Sequence, residues 1–152
     1  GARSPRLLYI AFVESLTEIV TAACRGVDGL QAAIVFGSVL TSAAPGDVDL
    51  ALLWREALAP EERWKLANQI AGEIEHALAS RGLNVDVKDL RTLPLVLQHR
   101  VLQTGARAYV ADQRALVRFT SVIVPQALDF LPFYRRALRA SALRLAGKRV
   151  GS

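Results

Sequence analysis

The chain has 152 residues, enough for one domain with a full hydrophobic core and too few for two of ordinary size. Hydrophobic residues make up 52% and mean hydropathy is +0.26, yet no uninterrupted apolar run reaches the roughly 18 residues of a membrane helix, so the surplus is expected on a surface that pairs with another subunit. The net charge of +5 fits an Arg-rich surface or a site for phosphates or nucleic acid; the absence of a basic stripe interleaved with aromatics argues against direct nucleic-acid binding.

Residues 6–25 place Leu8, Phe12, Leu16, Ile19, Val20 and Ala23 at helical spacing, with Glu14 and Glu18 between them and Gly26 and Gly29 beyond. The single cysteine, Cys24, lies in that stripe as a small buried hydrophobe and excludes an internal disulfide, which suits a reducing compartment. No basic start followed by an apolar signal core precedes it, so the expected location is the cytoplasm, with no membrane contact.

Apolar runs predict a first strand at 32–36 and a second at 48–54, the second apolar on both faces after Asp49 and therefore central. One helical turn is expected at 38–42. Pro60 opens the clearest helix, with Glu61 and Glu62 at its positive end. Its buried stripe is read as Trp64, Ala67, Ala71, Ile74 and Leu78, with Arg63 facing water.

A strand at 83–87 turns Asn84, Asp86 and Lys88 to one face. A short helix at 94–103 is stopped by Gly105, and 106–110 forms a small strand. From Asp112 to about residue 146 the pattern is helical; Pro125 is expected to separate or kink two helices and Pro132 to bend the last. The expected fold class is α/β (α+β): a small mixed twisted sheet with helices packed on one face. One domain spans 1–152, with an N-terminal helix at 6–25, a core at 30–112 and C-terminal helices at 113–148.

The chemistry concentrates where the first apolar run stops at Gly37-Ser38 and the second opens with Asp47-Val48-Asp49. Side chains alternate along a strand, so Asp47 and Asp49 project the same way. Two carboxylates so close repel unless a cation lies between them, and Mg²⁺ takes a couple of carboxylates together with waters and substrate phosphates. Gly37 lets backbone approach a ligand, and Ser38 with the following amides suits phosphate. Asp47 alone also fits a turn after Pro45-Gly46, whereas a lone carboxylate inside an apolar run, as Asp49 would be, is costly.

On these residues the chain resembles the minimal nucleotidyltransferases, a branch of the polymerase-β-like superfamily. Their signature is a strand ending in Gly-Ser, a loop, Asp-x-Asp opening the next strand, and a third carboxylate on a later strand. Gly37, Ser38, Asp47 and Asp49 match, Asp86 matches the third carboxylate, and Asp89 is its rival. The likeness continues through 89–94, 100–105, 108–112 and 128–132.

The resemblance implies a nucleotidyltransferase fold, ATP as donor, and two Mg²⁺ ions on Asp47 and Asp49, with Asp86 completing the metal site facing the acceptor and helping to deprotonate it. Gly37 and Ser38 would hold the β- and γ-phosphates. It further implies AMP transfer to a tyrosine of a HEPN-type toxin, an antitoxin role within a homo- or hetero-oligomer. Relatives carry a longer loop with an Arg and a Gly; the stretch 39–46 here is shorter and has no basic residue. That keeps two other readings open: a non-catalytic relative that neutralises its partner by contact, and an aminoglycoside-type enzyme acting on small molecules.

Overall fold

The runs LQAAIVF and DVDLALLW have almost no polar side chains, and they become the two central strands, β1 (Leu30–Phe36) and β2 (Asp47–Trp54). They pair antiparallel. β3 (Asn84–Asp89) joins β2 in parallel and β4 (Ala106–Val110) joins β1 antiparallel, giving a mixed sheet of order β3-β2-β1-β4. The structure, a computed structural model, describes residues 4–40 and 46–150, with side chains through residue 147. The last part of the helical turn expected at 38–42 lies outside the described residues, which show a 3₁₀ turn at Ser38–Leu40.

Among the described residues four α-helices accompany the strands: α1 (Pro5–Cys24), α2 (Pro60–Ala77), α3 (Leu95–Thr104) and α4 (Gln113–Val150). The α/β class with a small mixed sheet holds, but the helices do not share one face. On one side Leu50, Leu52, Trp54, Ala33 and Val35 pack with Leu16 and Val20 of α1 and with Ile70 and Ile74 of α2. On the other, Ile34, Phe36, Ala51 and Leu53 pack with Val101 and Leu102 of α3 and with Leu116, Phe119 and Ile123 of α4. Central strands that are apolar on both faces leave neither face to water, so each acquires a helical layer.

The expected stripe of α2 is rotated. Ile70, Ile74 and Leu78 are buried, Trp64 is 72% exposed, and Arg63 is half-buried. At about 100° per residue Arg63 falls roughly 20° from Ile74 around the helix and Trp64 roughly 80° away. Arg63 therefore occupies the position given to the tryptophan. Its Nε donates to the Leu58 carbonyl at 2.7 Å, its Nη1 to Asp89 Oδ2 at 3.1 Å and its Nη2 to the Glu56 carbonyl at 3.2 Å.

α4 is one continuous helix with Pro125 and Pro132 inside it, so the division into two helices expected as one outcome at Pro125 does not occur. Ala115, Leu116, Phe119, Ile123 and Ala127 form one stripe across the first proline, all buried. Burial of this stripe offsets the backbone hydrogen bond and ring clash of an interior proline, about 3 kcal/mol. Asp112 caps the helix, accepting from the Ala115 amide at 3.0 Å. Beyond residue 127 the helix exposes Leu128, Phe130, Phe133, Leu138, Leu143 and Leu145. By length and composition alone α1 and residues 113–147 of α4 would each cross a membrane, but Leu16, Val20 and Cys24 of α1 are at most 1% exposed within the core.

Candidate active site

The parallel register of β2 and β3 sets Asp47 opposite Asn84, Asp49 opposite Asp86 and Ala51 opposite Lys88. Neighbouring strands lie about 4.8 Å apart, and directly paired residues share a face. Asp47, Asp49, Asp86 and Lys88 thus stand on one face, at the end of the sheet where β2 begins.

β1 supplies the other wall. Phe36 pairs with Asp49, and the chain then turns at Gly37 with φ +83°. The Asp49 carboxylate rests against the bare Gly37 Cα. Exposed Ser38 opens the 3₁₀ turn, closed by the Leu40 amide donating to the Gly37 carbonyl at 3.2 Å. Tyr9 of α1 reaches the same turn, its hydroxyl donating to the Val39 carbonyl at 3.1 Å.

Asp49 is the half-buried member of the trio; Asp47 and Asp86 are exposed. Burial first, then the charges of Asp86 and Asp47, push its carboxyl above the ordinary carboxylate range, while Lys88 pulls it down. The Lys88 Nζ lies 3.4 Å from Asp86 Oδ2. Among the described residues no three acidic, histidine or cysteine side chains close to metal-holding distance. The aspartates expected to converge are brought to one face and feel one another electrostatically, with Asp86 turned to Lys88. Three carboxylates on one face, whose mutual repulsion Lys88 relieves only in part, are the donor chemistry that a divalent cation such as Mg²⁺ takes.

Asp89, the rival third carboxylate, has other partners. Its Oδ2 accepts from Arg63 and its Oδ1 from the Arg91 amide at 3.1 Å, capping the turn Leu90–Thr92. Being an odd number of residues from Asp86, it projects to the opposite face. Lys88 is the site residue that the sequence reading missed as a participant; its signal was there, since its parity with Asp86 was recognised.

The family described as polymerase beta, nucleotidyltransferase matches residues 18–114, well over half of the chain. The chain belongs to this family, and its fold is the nucleotidyltransferase fold. Among solved structures it is similar to a chain of a toxin–antitoxin MntA–HpeT mutant, at 20% identity and TM-score 0.55, over 89% of this chain and 98% of that one. It is also similar to a chain of a toxin–antitoxin solved with AMP-PNP, at 21% identity and TM-score 0.50, over 89% and 98%. A third, from Shewanella oneidensis, shares 19% identity at TM-score 0.51, over 90% and 97%. No curated protein matches the chain.

Proposed function

We propose that the chain is a cytoplasmic antitoxin that transfers AMP from ATP to a tyrosine hydroxyl of a HEPN-type toxin. The observation that carries this reading is the direct pairing of Asp49 with Asp86 across β2 and β3, with Asp47 on the same face and the Gly37-Ser38 turn against Asp49. Family membership supports nucleotidyl transfer, and the toxin–antitoxin neighbours, one with AMP-PNP, support the donor and the kind of partner.

In the proposed reaction the acceptor oxygen attacks the α-phosphorus, the bond to the pyrophosphate oxygen breaks, and pyrophosphate leaves. The acceptor proton passes to Asp86, the exposed carboxylate. Ser38 and the amides of its turn hold the β- and γ-phosphates, and Gly37 lets them approach the backbone. Asp47 and Asp49, joined by Asp86, would hold two Mg²⁺ ions, which supply charge neutralisation at the phosphates. Lys88 releases Asp86 for that role and adds positive charge at the site. Little covalent work falls to the protein; positioning and electrostatics dominate.

The exposed apolar half of α4 suits a protein acceptor on another subunit. The test is incubation with α-labelled ATP, Mg²⁺ and the partner toxin, using wild type and Asp49→Asn. Label on a partner tyrosine, lost with Asp49→Asn, is the expected result. A tight complex that never acquires label would replace the enzyme with a module acting by contact, the reading favoured by the short, uncharged stretch 39–46.

A further inference from the structure

A cavity of about 470 Å³ lies at the opposite end of β2 from the aspartates, a size ordinary for small-molecule sites. Arg55 follows Asp49 by six residues of nearly continuous strand, placing the two ends about 20 Å apart. Arg55, Arg91 and Arg118 line this cavity against one acidic side chain, Glu56. Arg91 is held in place: its Nε donates to the Trp54 carbonyl at 3.1 Å, its Nη1 to Glu56 Oε1 at 3.1 Å, and its guanidinium lies 5.3 Å from the centre of the Phe119 ring. Arg55 and Arg118 are exposed and have no ion pair among the described residues.

Gln31 supplies the second, independent observation. The β1–β2 register slips between Leu30 and Ala32, so Gln31 is the extra residue of a bulge. Bulges re-aim side chains. This one turns Gln31 toward the α4 side, where it lines the cavity with Phe119 and Ile123. Its Oε1 is buried and has no donor among the described residues. A buried acceptor without a donor is costly and calls for a partner, which a ligand in the cavity can supply.

We propose that this cavity binds a nucleotide-class ligand: a phosphate held by Arg55 and Arg118, and a ring against Phe119 whose N–H donates to Gln31 Oε1. Guanidinium groups match phosphate oxygens through paired, charge-assisted hydrogen bonds, and Arg91 completes a cavity with an excess of positive charge. The site is separate from the carboxylates and needs no divalent cation.

The test is calorimetric titration of the full-length protein with AMP in EDTA, where binding that depends on metal at the aspartates is silent. Wild type and Asp49→Asn are expected to bind AMP alike, and Arg55→Ala and Arg118→Ala, both at exposed positions, to bind about tenfold more weakly. Gln31→Leu, which removes the acceptor but keeps the arginines, is expected to weaken AMP and leave inorganic phosphate unchanged. Absence of AMP binding, AMP binding lost in Asp49→Asn but kept in the arginine variants, or equal affinity for AMP and inorganic phosphate would each overturn the assignment.

Discussion

Gly37 and Asp49 are fitted to one another: a Cβ on Gly37 would be driven into Asp49 Oδ2. The glycine also has φ +83°, the left-handed region that other residues avoid. The end of β1 and the start of β2 therefore share one space, and the half-buried carboxylate takes its position from a missing side chain.

Gly37→Ala should accordingly cost stability and displace Asp49. Backbone strain alone contributes about 1–2 kcal/mol, measurable in urea unfolding. Nucleotide transfer should fall more steeply than stability. A variant with wild-type transfer would mean that Asp49 can move without consequence.

Asp86→Ala and Asp89→Ala should separate cleanly. Asp89 ties Arg63 to the turn after β3, and its loss leaves a half-buried guanidinium short of a partner, costing about 1–3 kcal/mol with transfer retained. Asp86 is exposed and, among the described residues, paired only with exposed Lys88, so its loss should leave stability within about 0.5 kcal/mol and abolish transfer. Parallel thermal melts and labelling assays would check both, and the opposite pattern would make Asp89 the third carboxylate.

Asp49→Asn should be at least as stable as wild type in EDTA at pH 7. It removes the charge disfavoured by burial and repelled by Asp86 and Asp47. Mg²⁺ should stabilise wild type, by about 1.4 kcal/mol at ten times its dissociation constant, and leave the variant unshifted. Equal Mg²⁺ shifts in a thermal melt would remove Asp49 from the proposed ligands.

Cys24 gives a pH dependence of definite sign. Burial, and then the charge of Glu73, push its thiol from 9.0 up to about 12. The folded state keeps the proton while the unfolded state loses it above about pH 9, so this group lowers stability as pH rises between those values. The slope is small at pH 8 and approaches about 1.4 kcal/mol per pH unit above pH 10, read as the difference between wild type and Cys24→Ala in urea melts at pH 8 to 10.5. Thiol reagents should leave Cys24 untouched in the folded protein.

The strands, the Gly-Ser turn and the parity of Asp47, Asp49 and Asp86 were legible in the sequence because each depends on local rules. Alternation fixes which side chains share a face, and Gly or Pro punctuates the runs. β4 was placed to the residue, and β1 and β2 within two residues at each end. Local pattern misassigned Trp64 because it ranks side chains by size; the helix phase about Ile74 instead puts Arg63 in the stripe.

Tertiary structure alone decided the rest. Two helical layers formed where one was expected, because both faces of β1 and β2 had to be buried. α4 continued through Pro125 because its buried stripe runs from Ala115 to Ala127 across that proline. The pairing of Asp49 with Asp86, the ion pair of Asp89 with Arg63 and the arginine cavity beside Gln31 all depend on register between distant segments. Local sequence sets which way a side chain points, and only the packed fold sets what it meets there.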